Sequence, residues 1–257
     1  MKPIIKTYET KYGKISLYSN DIYISRPFEN GDYWDENTLL KLKNFIDPNK
    51  NILEIGAHCG TSTIVYASFL NENQKIYAYE PQKELYNLLV QNIKQNNLEN
   101  KIIPFNKAVF CFSGYGNMNS IDLDGGGGNI QKRYNEEGNL PCNFGGACIG
   151  KNGENIEFTT IDEEIILDNI GYIHMDTQGS ENFIFSKAIN TISKFKPVIY
   201  YENNQENYIY LYNTVCNTYP EYYEESIFNI RTFCLEKLNY KMYIRNFNDG
   251  HDDLLVS

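Results

Sequence analysis

The stretch NILEIGAHCGTSTI, Asn51 to Ile64, decides how the rest of the chain is read. An apolar run with an acid inside it reaches Gly56, a second glycine follows at Gly60, and a helical pattern begins at Thr61. A strand that turns through glycines into a helix is a ligand-binding turn: glycine lets backbone come close to a bound group, and the first helical N–H groups have no intrahelical partner. The next strand, KIYAYEP, ends in Glu80, placed to accept hydrogen bonds from two ribose hydroxyls. A dinucleotide turn needs G-x-G-x-x-G. Here His58 stands where the middle glycine belongs, and its side chain crowds a pyrophosphate. S-adenosylmethionine carries no phosphate and presents an amino-acid end to such a loop, where Glu54 can face its ammonium directly or through water.

Working outward, strand and helix alternate. The expected elements are a helix over residues 61–70, a helix with Leu85, Leu88, Leu89 and Ile93 on one face, and a third strand KIIPFNKAV, Lys101 to Val109. This rhythm implies a parallel sheet covered on both faces. Residues 113–153, with DGGGG at Asp124 to Gly128, lack a helical or strand period and read as either a surface excursion or a substrate-binding lid. NIEFTTID, GYIHMDTQG and KPVIYYEN follow as strands, and Ser180 caps a helix with Ile184, Ala188 and Ile192 in line. A helix opened by Pro220 carries Ile227, Ile230, Cys234 and Leu238, and KMYIRNF and DDLLVS close as an antiparallel pair around the turn at 248–252. In front, residues 11–25 read as a hairpin around SND, and Leu39, Leu40, Leu42, Phe45 and Ile46 as a helix. The expected organisation is a cap over 1–48 and one α/β domain over 49–257 with the 113–153 insertion.

Asp176, Glu181 and Glu202 converge on the carboxyl edge of that sheet, where ligands bind in open α/β folds. Asp176 ends a strand otherwise built for burial. Glu181 reads equally as an acid favoured at a helix start, and Glu202 as a solvated strand end. His174 shares a face with Asp176 and reads as a core histidine, while His251 lies in a polar turn.

In order and spacing, LEIGAHCGTST, YAYEP, TTIDE, IHMDTQGSE and PVIYYEN resemble the FkbM family of class I S-adenosylmethionine-dependent methyltransferases, over Asn51 to Asn204. The long Gly-rich insertion looks like that of members found in large DNA viruses. The resemblance implies a Rossmann-like, mostly parallel sheet ending in an antiparallel strand pair, and O-methylation of a hydroxyl on a sugar, glycan or other small molecule. Glu54, Gly56, Ala57, His58, Gly60 and Thr61 would form the cofactor loop. Glu80 would be the ribose acid, with Asn106 beside it. Asp176, Gly179 and Glu181 match the family's D-x-x-G-x-E element. The family often has Asn at position 58 and Glu at position 178. With Gln178 here, a divalent cation on Asp176 and Glu202 is less supported than a direct base at Asp176 oriented by Glu181 and Glu202.

Net charge is −10, from 23 Lys and Arg against 33 Asp and Glu. The one short basic run is QKR at Gln131 to Arg133. That balance argues against nucleic-acid or anionic-membrane partners, which need clustered cations. No apolar run has the length of a signal core or a membrane span, so a cytoplasmic protein is expected, in the host cell if it is viral. Cys59, Cys111, Cys142, Cys148, Cys216 and Cys234 form no Cys-x-x-Cys pair and read as reduced thiols, with a patch of Cys111, Cys142 and Cys148 as the sharper alternative. A methyltransferase of nucleic acid or protein, or a subunit that binds the cofactor without turnover, are the competing functions.

Overall fold

A computed structural model describes residues 4–135, 140–164, 168–203, 208–248 and 250–257. Residues 136–139 of the expected insertion, Asn204 and Asp249 of the closing turn lie outside them, as do residues 1–3.

The main sheet has seven strands. Five are parallel: β3 (Asn51–Ile55), β4 (Ile76–Tyr79), β5 (Ile102–Phe105), β10 (Ile170–Met175) and β11 (Val198–Glu202). β13 (Asp252–Val256) runs antiparallel to β11, and β12 (Met242–Ile244) antiparallel to β13, giving the order β12-β13-β11-β10-β3-β4-β5. The chain steps outward from β3 to β5, then returns to β3's other side with β10. A crevice opens at such a reversal, beyond the carboxyl ends of β3 and β10.

Every residue of β3 is buried, because both faces of the sheet are covered. Alternation along the strand sends Ile52 into one apolar core with Ile64 and Val65 of α3 (Thr61–Ala67) and with Leu85, Leu88, Leu89 and Ile93 of α4 (Lys83–Gln95). Leu53 and Ile55 enter the opposite core with Ile184, Phe185, Ala188 and Ile192. Ile184 and Phe185 belong to α7 (Glu181–Ser186) and Ile192 to α8 (Ile189–Phe195), two helices rather than one, with Ala188 at the start of the second.

The front of the chain differs from its sequence reading. The hairpin is β1 (Ile5–Thr10) with β2 (Gly13–Tyr18), and residues beyond SND form a helix, α1 (Ile22–Glu29). The turn falls at Lys11 and Tyr12 because Gly13 takes φ +115°, where a Cβ would lie 2.2 Å from Asn96 Oδ1. α2 (Glu36–Leu42) follows; it buries Leu39 and Leu42 but leaves Leu40 exposed. Buried Asn92 of α4 ties β2 to the main sheet: its Oδ1 accepts from Ser16 N at 2.7 Å, and its Nδ2 donates to Ser16 O at 3.0 Å and Cys59 O at 2.8 Å.

The expected third strand is two. After β5 the chain leaves the main sheet at Asn106, and β6 (Ala108–Val109) starts a second sheet. Its order is β6-β9-β7-β8, with β7 (Gly114–Met118), β8 (Ile149–Gly150) and β9 (Asn155–Thr159). The insertion therefore contains paired strands and a helix, α5 (Ile130–Asn135). Its strand period is hidden because Gly114 and Gly116 stand where side chains would alternate. A Cβ at Gly116 would meet Phe158 Cε2 and the Tyr219 hydroxyl at 2.3 Å, so the neighbouring rings fill the space its own side chain would take.

Near the end, α9 (Ile209–Thr218) was not signalled by the sequence pattern, and the helix expected from Pro220 is broken into short pieces. Asn229 starts a fresh turn there, its side chain accepting from Thr232 N. The six cysteines are free thiols, five of them buried. Among the described residues no helix is long and apolar enough to cross a membrane.

Replacing Asn92 by Ala removes the partners of three backbone groups in a site with no access to water. The expected loss is about 2–4 kcal/mol of folding stability, since each orphaned group costs about 1–3 kcal/mol and the costs overlap. Urea unfolding of Asn92→Ala against the parent chain measures it; an unchanged midpoint would mean that β1 and β2 are not anchored here.

Candidate active site

Beyond the carboxyl ends of β3 and β10 lies one large cavity of about 960 Å³. The β3–α3 turn forms its floor. Gly56 N and Ala57 N both donate to Tyr79 O, at 2.9 and 3.0 Å, so the turn is pinned to the neighbouring strand. Gly56 has φ +86°, and a Cβ there would lie 1.9 Å from Asp176 O. Gly60, at φ +89°, makes room instead for Leu89 of α4, whose Cδ1 would lie 2.6 Å from a Cβ. The first glycine thus serves the strand crossing and the second serves helix packing. Gly56, Ala57, His58 and Thr61 line the cavity; Gly60 does not.

Glu80 also lines it, with both carboxylate oxygens on backbone donors: His58 N to Oε2 at 2.9 Å and Gln82 N to Oε1 at 2.8 Å. Burial pushes its acid up to about 7, against the pull of His58 and those two N–H groups. Asn106 is spent elsewhere. Its amide donates to Glu80 O and Pro81 O, both at 2.9 Å, so it fixes the backbone that carries Glu80 and stays outside the lining.

Glu54 lies beneath the cavity, fully buried. Its Oε1 accepts from Ser62 Oγ at 2.5 Å and faces His174 Nδ1 at 3.4 Å, while Oε2 has no partner. Burial works against charge on His174, but Glu54, by hydrogen bond and by charge, outweighs it and raises the imidazole above its ordinary value. His174 lines the cavity and is therefore more than a core residue. His58 takes the left-handed conformation, φ +52°, and places Nε2 3.1 Å from Asp21 Oδ2, before α1. Its Nδ1 lies 3.1 Å from Cys59 Sγ. Burial opposes its protonation; Cys59 and Asp21 overcome that and raise it well above the usual histidine range.

The three acids expected to act in chemistry separate into two kinds. Asp176 and Glu202 line the cavity, and the Gln178 side chain joins them: Nε2 donates to Asp176 Oδ1 at 2.8 Å and to Glu202 Oε2 at 3.0 Å. Gln178 adopts φ +55° to do so. Glu181 is buried below the lining, its Oε1 accepting from Thr177 N at 2.9 Å and Thr177 Oγ1 at 2.8 Å. It shapes the Asp176–Ser180 turn from inside. Gly179, at φ +94°, lets α9 press on that turn; a Cβ would lie 2.8 Å from Tyr212 N. Burial, then Asp176 and Glu181, raise Glu202 well above the carboxylate range, and burial with Asp176 also raises Glu181.

Sequence reasoning did not assign several residues that line the cavity, among them Asp252, Asp124, Tyr208 and His251. Asp252 begins β13, directly beside Glu202 in register. Burial and Asp176 push it up to about 6. Asp124, from the DGGGG segment, is likewise raised to about 6 by burial and Asp176. Tyr208 and His251 meet edge to face at 4.4 Å across the cavity wall. Asp252 was readable in principle: the first residue of an antiparallel last strand falls on the same edge as the last residues of the parallel ones. Asp124 carried no such signal.

A sheet in this order, with a glycine turn after its central strand and acids at successive strand ends, defines the class I, Rossmann-like methyltransferase architecture. Within that class, the chain belongs to the FkbM methyltransferase domain family, whose model matches residues 54–242. No curated protein matches it in sequence. Among solved structures it is similar to methyltransferase FkbM from Methylobacillus flagellatus KT, at 16% identity over 68% of this chain and 39% of that one, TM-score 0.43. It is also similar to M. jannaschii TYW2 in complex with AdoMet, at 14% identity over 99% and 84%, TM-score 0.46. A third is a SAM-dependent O-methyltransferase from Thermotoga maritima, at 12% identity over 81% and 60%, TM-score 0.43. The chain thus spans less than two thirds of the first and third.

Crowded carboxyls set the pH dependence of the fold. Their native values are raised, so the folded state holds protons that the unfolded chain has released, and stability falls as pH rises from about 4 through 7. His174 adds in the same direction, since the benefit of its raised value is lost with rising pH. Glu202→Gln is expected to raise the melting midpoint at pH 8 by several degrees and to flatten the decline between pH 5 and 8. A midpoint unchanged at pH 8 would show that Glu202 carries no such cost.

Proposed function

We propose that the protein binds S-adenosylmethionine in this cavity and transfers its methyl group to a hydroxyl of a small molecule, sugar or glycan. The observation that carries the proposal is the crossing of Gly56 and Asp176. It puts a carboxylate open to the cavity against the turn that would hold the cofactor. Two features support the fit of that cofactor: a buried hydroxyl without a partner at Ser180, which lines the cavity, and a volume within the range of ligand cavities, about 300–1,000 Å³. Glu80 would accept from the ribose diol, and Gly56 and Ala57 would face the amino-acid end. When bound, the cofactor supplies an electrophilic methyl on sulfur.

The chain's own work is alignment and proton removal. Asp176 is the base. Gln178 holds one of its oxygens, which fixes the carboxylate and leaves the other oxygen for the acceptor hydroxyl. Glu202, joined to Asp176 through the Gln178 amide, orients it. Glu181, through Thr177, keeps the turn in shape. The same bridge argues for a direct base over a metal-assisted one. An amide N–H₂ donating to both carboxylates occupies the position between them that a cation would take. Among the described residues no group of three or more His, Cys, Asp or Glu is arranged to hold a metal ion. Wall acids and the net charge of −10 also disfavour a polyanionic acceptor.

Three measurements test this. Glu80→Ala should weaken cofactor binding by roughly ten- to a hundred-fold in calorimetry, about 1.5–3 kcal/mol for a charge-assisted hydrogen bond; equal affinity in a folded variant removes the ribose assignment. Asp176→Asn should bind cofactor normally and lose about 10²–10⁴ in single-turnover transfer of labelled methyl; transfer at the parent rate makes Asp176 structural. Full activity in EDTA is the expected outcome, and a loss restored by a divalent cation would favour the metal version. Cofactor binding without transfer to nucleic acid, glycan or small-molecule panels would point to a binding subunit.

A further inference from the structure

Three carboxyls line the acceptor end of the cavity, and the nearby donors are neutral: the Tyr210 hydroxyl donates to Asp124 Oδ1 at 3.4 Å and Asn248 Nδ2 to Asp252 Oδ2 at 2.5 Å. Asp124 comes from the insertion, Glu202 from β11 and Asp252 from β13, and none belongs to the cofactor turn. All three lie within the electrostatic reach of Asp176. Counter-charge from the protein is committed elsewhere. Lys107, which lines the cavity, pairs with Glu157 at 2.7 Å, and His58 and His174 face Asp21 and Glu54. An independent observation points the same way. Gln178 is 7% exposed, and once its amide nitrogen has donated to two carboxylates its Oε1 has no partner. A buried acceptor on the amide that bridges Asp176 and Glu202 lacks a donor, and water-inaccessible acceptors of this kind are costly. Tyr208 adds an aromatic wall at the same end.

Resting on the methyl-transfer reading, we propose that the acceptor carries a protonated amine besides the hydroxyl it presents for methylation. An amino sugar or similarly hydroxylated amine fits, its ammonium bound among Asp124, Glu202 and Asp252. An ammonium brings three N–H donors and one positive charge, which supplies what this end lacks. A carboxylate or phosphate on the acceptor would face only like charge. A neutral polyol satisfies the acceptors but leaves the charge uncompensated. The amine is a handle and is not the methylated atom.

The test uses the full chain saturated with S-adenosylhomocysteine and three probes that share one ring: methyl glucoside, methyl 2-amino-2-deoxyglucoside and methyl glucuronide. Calorimetry should rank them amine, neutral, anionic, with at least tenfold between the first two. Asp124→Asn should cut the amine-to-neutral ratio at least threefold; Asp252→Asn should do the same. Asp124 sits on a surface-facing loop, so that variant carries the test if Asp252→Asn fails to fold. Equal binding of all three probes, binding of none, or a glucuronide preference overturns the proposal, as does an amine preference that both folded variants retain. Saturation with S-adenosylhomocysteine is checked first in the same cell. Failure there defeats the methyltransferase reading itself, and the probe ranking, read on the chain alone, still decides whether the cation site exists.

Discussion

The site depends on one steric fact, the contact between Gly56 and the carbonyl of Asp176. Two parallel strands end side by side, and their onward turns must cross. With Asp176 O 1.9 Å from where a Cβ would be, any side chain at position 56 would force the strands apart. Asp176 N donates to Ile55 O at 3.1 Å, so the crossing is held by a hydrogen bond as well as by close packing. The β3–α3 turn and Asp176 are therefore parts of one junction. Neither can move by an ångström without the other.

Around that junction the chain has gathered more negative charge than stability alone would favour. Buried carboxyls repel one another and lose hydration, and these respond by holding protons or by recruiting backbone donors, as Glu80 and Glu181 do. Gln178 is the other device. A carboxylate at that position would add a further charge to the crowd, whereas the amide donates to two of its members. The arrangement trades folding stability for a polarised cavity, as functional sites commonly do.

Much of this was legible in the sequence where one residue type had one physical use. Gly56, Glu80, Asp176 and Glu202 end apolar strands, so their position on the edge followed from strand period alone. Residues that act through another group were harder to read. Asn106 has the right place but spends its amide on Glu80's backbone, and Glu181 has the right motif but works from below. The second sheet escaped because glycines in β7 leave its facing side chains to come from β9 and from Tyr219, so the strand carries no alternation of its own. Asp124 escaped because its neighbourhood is set by tertiary folding of a loop, for which local pattern holds no information. The hairpin was misplaced by a few residues because its turn is fixed by Asn96, far along the chain, pressing on Gly13.

The reach of the site along the chain has a consequence for biosynthesis. His58 rests on Asp21, ahead of the methyltransferase sheet, and Glu202 lies beside Asp252, within the last strand. On a ribosome, β3, β4 and β5 with their helices can pair while the rest is still being made, since neighbouring strands are close in sequence. The pocket wall cannot close until β13 has emerged and slotted antiparallel against β11. For that interval the nascent chain holds the β3–α3 glycine turn with no opposing wall, and its acids are open to water, where they repel least. Glu202 and Asp252 can therefore come together only after β13 has followed β11 out of the ribosome.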